Sequence, residues 1–475
     1  MLEKFYITTS IAYANTFPHI GYALESIQAD VLARSSRLSG KDVFFLTGTD
    51  EHGVKVERAA KKEGKSSQEF VDEISERVQG LKEALNLSSN DFIRTTDQNR
   101  HWPAVKKVWL KIKENGDLYK KKYQGLYCAG CEAFVTRKDL IDGKCALHQK
   151  EPEAVEEENY FFRLSKYSKE IGKLIESDSL KIVPESRKNE ILSLIEKGLE
   201  DVSFSRPKES LEWGIPVPDD ETQTIYVWAD ALTNYISAIG YEKETADFKK
   251  YWPADVHIIG KDILRFHAAI WPGMLLSLKL PLPKTILVHG FITVGGQKIS
   301  KSLGNVIDPY ELAKKYGKDA VRYFLLREIP PTEDGDFTYG KFEGRYNADL
   351  ASGLGNLVAR VLTLSTNIDF SSDASGDIKK EVDRVRQEQE KILGSFKFNE
   401  ALSVIWELIS FCDRYIEKEK PWEKTEEKTA VLNDLLFAIA NISDMLKPFL
   451  PETADKILKQ IESKKTEPLF PRISS

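Results

Sequence analysis

The sequence is poor in cysteine and contains no long hydrophobic run. Four cysteines in 475 residues are too few for a disulfide scaffold, so we expect a reducing, cytoplasmic location. The most apolar run, 268–276, is interrupted by Pro272 and is shorter than the ~18 residues of a membrane span. The N-terminal segment MLEKFYITTS has neither the basic nor the apolar region of a signal peptide. We therefore expect no membrane association and no targeting segment.

An excess of basic residues is also missing. The 68 lysines and arginines are outnumbered by 74 aspartates and glutamates, which gives a net charge of −6. Proteins that coat nucleic acid through bulk positive charge are basic, so this composition argues against that class, and we expect no DNA partner. A nucleic acid held at a few placed contacts is compatible with it.

The chain alternates predicted strands and helices in its first and middle parts. A strand at 5–9 is followed by a helix at 21–38, a strand at 43–46 and a helical region at 55–86. This order predicts an α/β fold with a Rossmann-like, doubly wound parallel sheet. The alternation stops near residue 115 and returns near residue 224 with VHIIG (256–260), a helix at 262–278 and TILVHG (285–290). From residue 346 the chain is almost all helical. The predicted domains are 1–114 and 226–292 for the two halves of the sheet, 115–225 for an insertion, 293–345 for a connector and 346–475 for a helical bundle.

The insertion contains two short metal-binding patterns. Cys128 and Cys131 form a C-x-x-C pair, and Cys145 and His148 form a C-x-x-H pair. Three thiolates and one imidazole can complete a tetrahedral zinc site, which would be structural because no position is left open for water or substrate. A degenerate knuckle without metal and a redox role are the alternatives.

Two motifs have the chemistry of phosphate handling. The segment 17–22, FPHIGY, lies between the first strand and the first helix, where free N–H groups and the helix dipole suit phosphate. The second motif, KISKS, contains Lys298, Ser300 and Lys301 after two glycines. Paired lysines on a loop can stabilise charge that develops during phosphoryl or nucleotidyl transfer. Taken alone, each motif is also compatible with an ordinary surface loop.

These motifs together resemble those of the class I aminoacyl-tRNA synthetases, and more narrowly of the methionyl-tRNA synthetases. The resemblance covers essentially the whole chain. It includes TSIAYANTFPHIG, FLTGTDEHG, the single CxxC…CxxH insertion, VWADALTNY, IGKDILRFHAAIWP, KISKSLGN and GLGNLVAR. Two positions differ from the family signatures: Tyr22 replaces the second histidine of HIGH, and Ile299 replaces the methionine of KMSKS. Tyr22 keeps a hydrogen-bonding tip but cannot carry a positive charge.

The resemblance implies a methionine–tRNA ligase. Methionine would react with ATP, accompanied by Mg²⁺, to give methionyl-adenylate and pyrophosphate, and the methionyl group would then pass to the 3′-terminal adenosine of tRNA(Met), including the initiator. The implied catalytic residues are His19, Lys298 and Lys301. The implied ATP-binding residues are His19, Gly21, Tyr22, Gly260, Asp262, Lys298, Ser300 and Lys301.

The resemblance also implies an aromatic pocket for methionine, with Asp50 as the partner of the ammonium group. A long, apolar, sulfur-containing side chain calls for a shape-matched slot with few polar groups. Without the resemblance, Trp228 and Tyr235 would be read as ordinary core aromatics. The implied pocket residues are Ile11, Tyr13, Asp50, Trp228, Ala231, Leu232, Tyr235, Ile263, His267 and Trp271.

The helical C-terminal region resembles an anticodon-binding bundle. Asn356 and Arg360 are four residues apart, so they share a helix face, and Pro421 precedes Trp422. Unpaired bases are read by stacking on aromatic rings and by side-chain hydrogen bonds. By resemblance, Trp422 would stack on the wobble cytosine while Asn356 and Arg360 contact base edges. Without that resemblance, the pair on the helix would be a solvated surface.

The sequence predicts a monomer and leaves two other functions open. The first alternative is a tRNA-binding, synthetase-like protein without adenylation activity, for which Tyr22 is the only indication. The second is a class I synthetase for another apolar amino acid. Such relatives carry large editing insertions, whereas the insertion at 115–225 is short.

Overall fold

The structure is a computed structural model that describes residues 2–130, 132–135, 140–145, 149–299, 304–370, 374–423 and 428–473. The chain forms two units. The first contains Met1–Pro18, Gly40–Gly80 and Ser89–Val288, and the second contains His19–Ser39, Leu81–Ser88 and His289–Ser475.

The strands lie mainly in the first unit. In chain order they are β1 Lys4–Thr9, β2 Ala12–Tyr13, β3 Asp42–Asp50, β4 Asp91–Arg94, β5 Leu118–Cys128, β6 Ala133–Val135, β7 Leu140–Ile141, β8 Lys144–Cys145, β9 Glu153–Phe162, β10 Lys181–Val183, β11 Val202–Ser203, β12 Ser205–Pro207, β13 Pro216–Val217, β14 Asp220–Ile225, β15 Val256–Gly260, β16 Thr285–His289, β17 Ile292–Val294, β18 Gln297–Lys298 and β19 Gly335–Phe337.

The α-helices occur in both units. They are α1 Ile20–Leu38, α2 Val54–Lys62, α3 Ser67–Ala84, α4 His101–Glu114, α5 Ser168–Glu176, α6 Glu185–Glu196, α7 Val227–Leu232, α8 Asn234–Ser237, α9 Ala246–Tyr251, α10 Trp271–Ser277, α11 Pro309–Tyr316, α12 Lys318–Arg327, α13 Tyr339–Arg345, α14 Asn356–Leu364, α15 Gly376–Leu393, α16 Phe398–Glu419, α17 Lys428–Leu446 and α18 Pro451–Ser463.

The main sheet of the first unit has the order β10-β16-β15-β1-β3-β2, with β4 also paired to β3. Strand β1 runs parallel to both β3 and β15. The chain therefore moves outward from β1 in one direction through β3 and in the other through β15. This reversal is the topological switch point of a doubly wound sheet, where ligands bind beyond the carboxyl ends of the strands. The parallel sheet confirms the predicted fold of the catalytic region.

The central strands of this sheet are buried on both faces. All residues of β15 are buried, as are the last four of β1. Their apolar side chains join a core that also contains residues of α4, α5, α7, α8 and α10. A strand covered on both faces reads as a continuous apolar run, which explains why VHIIG could be recognised from sequence.

Two predicted helical regions differ in detail from the structure. The region 55–86 is two helices, α2 and α3, separated by a turn in which Gly64 has a φ of +69°. The region 262–278 begins with a 3₁₀ turn at Lys261–Ile263, continues as a π-helix at Phe266–Ile270 and ends as α10. Pro272 lies in the first turn of α10, where its missing N–H costs no helical hydrogen bond.

The inserted region is built on a long antiparallel pair. Strands β5 and β9 pair from Leu118 opposite Phe162 to Tyr127 opposite Glu153. Strand β10 also lies within the predicted insertion, yet it pairs in parallel with β16 of the main sheet. The inserted segment therefore contributes an edge strand to the main sheet. The boundaries proposed from sequence stay predictions.

The second unit contains the C-terminal helices, α1 and a small sheet of order β18-β17-β19. At its centre Arg322 is fully buried and pairs with Asp30 at 2.8 Å. The same guanidinium donates to the main-chain oxygens of Pro448 and Phe449 at 2.9 and 2.7 Å. Although burial opposes ionisation, Arg322 and Arg34 hold the pKa of Asp30 below its ordinary value. This ion pair ties α1 and α12 to the segment before α18.

Helix α17 is long and apolar enough to cross a membrane by length and composition alone. Most of its apolar stretch, 61%, is nevertheless buried inside the structure. Among the described residues it has the burial of a core helix, and it packs on α16 and α18.

Candidate active site

Asp50 lies at the carboxyl end of β3, beside the switch point of the main sheet. Its side chain is buried, and Oδ1 has no hydrogen-bond partner among the described residues. The carboxylate accepts a hydrogen bond from the backbone N–H of His52. Burial, helped by the carboxylates of Asp230 and Glu132, raises the pKa of Asp50 well above its ordinary value. A cation at this point would relieve both the unsatisfied oxygen and the repulsion.

Tyr13 pairs with Asp50 across strands β2 and β3. Its hydroxyl is buried beside the carboxylate of Glu132, to which it donates a hydrogen bond. Burial and the nearby carboxylate of Glu132 raise the pKa of Tyr13 well above its ordinary value, so the hydroxyl stays protonated. The backbone also comes close here, since a Cβ on Gly53 would lie 2.5 Å from the Tyr13 oxygen. Tyr13 and Asp50 thus form a polar end of the site, in which Oδ1 of Asp50 can still accept a hydrogen bond.

Aromatic side chains of α7, α8 and the following π-helix form a second wall. Trp228 at the start of α7 stacks on Phe266, with ring centroids 3.6 Å apart and planes 9° apart. Tyr235 contacts Trp271, with ring centroids 5.9 Å apart. The indole N–H groups of both tryptophans are buried without a partner among the described residues.

His267 is held as a neutral ring in this wall. Its Nδ1 bonds to the carbonyl oxygen of Ile263 at 3.0 Å, and since a carbonyl only accepts, Nδ1 carries the proton. Its Nε2 therefore accepts from the hydroxyl of Tyr235 at 2.7 Å. Burial lowers the pKa of His267 to about 4. The wall is consequently uncharged at neutral pH and suits an apolar ligand.

All ten residues predicted for methionine lie in the first unit. Ala231 and Leu232 are buried on α7, while Ile11 and Ile263 pack against the same core. Gly260 ends β15, and Asp262 is exposed in the turn that follows. Their roles toward substrates stay predictions.

The second unit contains the residues predicted to handle phosphate. His19 caps α1, and its Nδ1 accepts from the backbone N–H of Gly21 at 3.0 Å. Burial lowers the pKa of His19, so the ring is neutral and its proton is on Nε2. A Cβ at Gly21 would lie 2.8 Å from the His19 ring, which explains the need for glycine. Tyr22 is half-buried in the first turn of α1.

Lys298 lies at the end of a two-stranded hairpin. Strands β17 and β18 are joined by Gly295 and Gly296, both with positive φ, as a tight hairpin turn requires. Asp336 accepts from the N–H of Gly296 at 2.7 Å and so fixes the turn. The Lys298 side chain is exposed. Ser300 and Lys301 lie outside the described residues.

Three of the four predicted anticodon-binding residues lie on one surface of the helical unit. The guanidinium of Arg360 lies 5.3 Å from the centre of the Trp422 ring and donates to Glu417 at 2.6 Å. Trp422 is 45% exposed, which is unusual for so large a ring, while Pro421 before it is buried. Asn356 is exposed one turn before Arg360 on α14.

The predicted zinc ligands are described only in part. Cys128 ends β5 and Cys145 ends β8, and both are buried. Cys131 and His148 lie outside the described residues. Among the described residues no group of three or more histidine, cysteine, aspartate and glutamate side chains could hold a metal ion. The zinc site therefore stays a prediction.

Sequence reasoning missed a set of buried histidines around Asp230. His52 and His101 both bond to Asp230, and His257 on β15 bonds through Nδ1 to Thr8 at 2.8 Å. His52 and Asp230 occur inside the segments TDEHG and VWAD, so the family resemblance contained the signal. Their pairing could not be read from it because 178 residues separate them.

Comparisons with known proteins agree on one family. The profile described as "tRNA synthetases class I (M)" matches residues 5–139 and 131–362, and "Anticodon-binding domain of tRNA ligase" matches residues 377–472. The methionine–tRNA ligase of Caldanaerobacter subterraneus is 44% identical, with 97% of this chain and 74% of the relative covered. That of Brucella suis is 43% identical, with 96% and 91% covered.

A solved structure is similar along the whole chain. The Mycobacterium tuberculosis methionyl-tRNA synthetase in complex with methionyl-adenylate has a TM-score of 0.93 and 36% identity, with 99% of this chain and 100% of that chain covered. A profile match over most of the chain and relatives of this identity show the family. The chain therefore belongs to the methionyl-tRNA synthetases, within the class I aminoacyl-tRNA synthetases.

Proposed function

We propose that the chain is a methionine–tRNA ligase. The carboxylate of L-methionine attacks the α-phosphate of ATP, which gives methionyl-adenylate and releases pyrophosphate. A ribose hydroxyl of the 3′-terminal adenosine of tRNA(Met) then attacks the acyl carbon, and AMP leaves. Membership of the family and the relatives named above support both steps.

The observation that carries this proposal is the unsatisfied carboxylate of Asp50 beside an uncharged aromatic wall. A free amino acid presents an ammonium group, a carboxylate and a side chain. Asp50 supplies the anion for the ammonium group, and Oδ1 has a free position for an N–H. The carboxylate of the substrate is left free to react. Binding energy from the side chain and the amine thus positions the attacking oxygen, which is the main task in nucleotidyl transfer.

We attribute the selection of methionine to a wall of uncharged aromatic side chains. A thioether accepts hydrogen bonds weakly and is polarizable, so it packs well against aromatic rings. Trp228, Tyr235 and Trp271 supply such rings, and the neutral His267 keeps charge out of the wall. A charged or strongly polar side chain would lose its hydration there without compensation.

The phosphate groups of ATP call for donors and positive charge. The neutral His19 can donate through Nε2, since Nδ1 already accepts from Gly21. Lys298 on its glycine hairpin supplies a cation. Ser300 and Lys301 follow within three residues of the sequence and are proposed to bind the same phosphate groups. Gly260 and Asp262 are proposed to hold the adenosine, with the exposed carboxylate accepting from ribose hydroxyls. Mg²⁺ would accompany ATP.

The anticodon is proposed to bind around Trp422. An exposed indole offers a stacking surface for an unpaired base, and Arg360 beside it can donate to a base edge. The ion pair with Glu417 holds the guanidinium close to the ring before tRNA arrives. Asn356 lies on the same helix one turn away and can provide a second contact.

We also propose a structural zinc ion bound by Cys128, Cys131, Cys145 and His148. The donor set suits zinc, and the two described thiols are buried at strand ends. Elemental analysis of the purified protein should find about one zinc per chain. Substitution of Cys128 by Ser should lower that content. We further propose a cytoplasmic monomer.

One assay separates this function from the two alternatives. ATP–pyrophosphate exchange is measured with each amino acid in turn, followed by charging of tRNA(Met). Exchange that depends on methionine alone is the expected result. Exchange with leucine, isoleucine or valine but not methionine would indicate a different class I synthetase. No exchange with any amino acid, but retained tRNA binding, would indicate a protein that has lost adenylation.

A further inference from the structure

Asp230 is a fully buried carboxylate whose two oxygens bond to two different histidines. Oδ2 lies 2.6 Å from Nδ1 of His52, and Oδ1 lies 2.7 Å from Nε2 of His101. None of the three side chains is more than 2% exposed. Burial of a carboxylate costs free energy that only well-placed partners offset. The three side chains therefore act as one rigid group.

The His52 end of this group reaches the amine site. The backbone N–H of His52 donates to the carboxylate of Asp50, so the position of His52 helps to set the direction of that carboxylate. The ring of His52 is also enclosed by Trp102 and Trp213, with centroid distances of 6.0 and 5.6 Å. The N–H of Gly53 donates to the carbonyl of Trp213 at 3.2 Å. The turn at 50–53 is thus held in place both by contacts of the His52 side chain and by the backbone hydrogen bond of Gly53.

The other end of the group reaches the aromatic wall. Asp230 lies on α7, two residues after Trp228 and directly before Ala231. His101 begins α4, and its Nδ1 bonds to the hydroxyl of Ser237 on α8 at 2.8 Å. Tyr235 is on the same short helix. Through one carboxylate, the elements that form the side-chain wall are therefore tied to the turn that presents Asp50.

We propose that Asp230 is a positioning residue for the methionine amine. By holding His52 it fixes the 50–53 turn, and by its place on α7 it sets the distance between the Asp50 carboxylate and the aromatic wall. An amino acid must contact the Asp50 carboxylate and the aromatic wall at the same time. A small displacement of the carboxylate relative to the wall therefore weakens binding. This inference rests on the proposed function.

The test uses two buried carboxylates and compares their effects on substrate affinity. Asp230→Asn keeps the shape of the side chain but removes one acceptor oxygen. Asp117→Asn is the matched control, because Asp117 is also buried and bonds to Lys166, Tyr167 and Ser277, none of which belongs to the pocket. Methionine-dependent pyrophosphate exchange and the melting temperature are measured for the full chain and both variants.

Asp230→Asn should raise the KM for methionine by about tenfold to a hundredfold. The KM for ATP and kcat should each stay within about threefold of the unsubstituted chain. Asp117→Asn should lower the melting temperature but leave the KM for methionine unchanged. If Asp230→Asn only lowers the melting temperature and leaves that KM within about twofold, Asp230 is structural and the proposal is overturned.

A second pair of variants decides the matter if Asp230→Asn does not fold. His52→Asn places an amide nitrogen near the position of Nδ1 and can still donate to Asp230, whereas His52→Ala cannot. His52→Ala should raise the KM for methionine, and His52→Asn should restore it to within about threefold. Equal KM values for both variants and the unsubstituted chain would overturn the proposal. Absence of methionine-dependent exchange in the unsubstituted chain would instead contradict the proposed function itself.

Discussion

At the scale of single residues, the candidate site combines a buried carboxylate oxygen that lacks a partner with an aromatic wall that lacks charge. Oδ1 of Asp50 and the indole N–H groups of Trp228 and Trp271 are unsatisfied among the described residues, whereas Tyr235 and His267 satisfy each other. Unsatisfied buried groups cost stability, so they are informative where they cluster at strand ends. The Asp50 end of the site can therefore accept a polar ligand group, while the neutral pair of Tyr235 and His267 keeps charge out of the side wall.

Asp50→Asn should remove the partner of the ammonium group while keeping the shape of the side chain. Loss of one member of a buried charge pair costs several kcal/mol, so kcat/KM for methionine in pyrophosphate exchange should fall at least about a hundredfold. The variant should fold normally, because the repulsion from Asp230 and Glu132 is also removed. Activity within about threefold of the unsubstituted chain would contradict the role of Asp50.

The affinity for methionine should depend on pH through Asp50. Its pKa is raised in the free protein, so protons compete with the ammonium group as the pH falls toward that value. The KM for methionine should therefore rise as the pH is lowered from neutral toward this raised pKa, in a range above the ordinary pKa of an aspartate. In Asp50→Asn this dependence should disappear. An equally steep dependence in both proteins would assign it to another group.

At the scale of elements, each function depends on how a helix or hairpin presents a few side chains. Helix α14 and the segment after α16 bring Arg360 over the exposed ring of Trp422. The glycine hairpin between β17 and β18 presents Lys298, and the cap of α1 orients His19. Because the elements proposed for tRNA recognition differ from those proposed for amino-acid activation, substitutions should separate the two steps.

Trp422→Ala should weaken tRNA charging and spare amino-acid activation. Stacking of a base on an aromatic ring is worth about 1–3 kcal/mol, so kcat/KM for tRNA(Met) should fall about fivefold to 150-fold. Phe370→Ala is the matched control, since Phe370 is a similarly exposed aromatic residue of the helical unit. Pyrophosphate exchange should be unchanged in both variants. Equal loss of exchange and charging in Trp422→Ala would contradict the assigned role.

The buried ion pair between α1 and α12 should contribute strongly to stability. Asp30→Ala leaves Arg322 buried without its carboxylate, which should lower the free energy of unfolding by about 3–5 kcal/mol. The exposed cluster of Arg384 with Glu381 and Glu388 offers the control, and Arg384→Ala should cost no more than about 1 kcal/mol. Denaturant unfolding measures both values, and similar losses would show that burial of the pair does not matter.

At the scale of the whole molecule, the sequence predicts the fold well where the signal is local. The strands VHIIG and FYITT and the helix at 21–38 were predicted almost to the residue, since their apolar patterns are continuous. The turn at Gly64 was missed because helical, highly charged segments lie on both sides of it. The π-helix at Phe266–Ile270 was missed because it lies inside a continuous helical pattern. Pairings that join distant segments, such as His52, Asp230 and His101, have no local signal.

The net charge of the C-terminal region limits how it can recognise tRNA. Residues 346–475 contain 18 lysines and arginines against 22 aspartates and glutamates, although this region includes the proposed anticodon-binding surface. The proposed recognition therefore depends on placed groups such as Arg360 and Trp422, and a general positive field is missing from this region. The candidate site residues could be proposed only through the family resemblance, and their roles stay predictions. Their neutral or unsatisfied states could be read only from the structure.

The most direct measurement is the charging of a tRNA(Met) transcript by the purified chain with labelled methionine, ATP and Mg²⁺. The account predicts methionylated tRNA(Met) and little product when the wobble cytosine of the anticodon is replaced. Isoleucine, leucine and valine should give no stable product. Failure to charge tRNA(Met) with methionine, or charging with one of those three amino acids instead, would contradict the central claim.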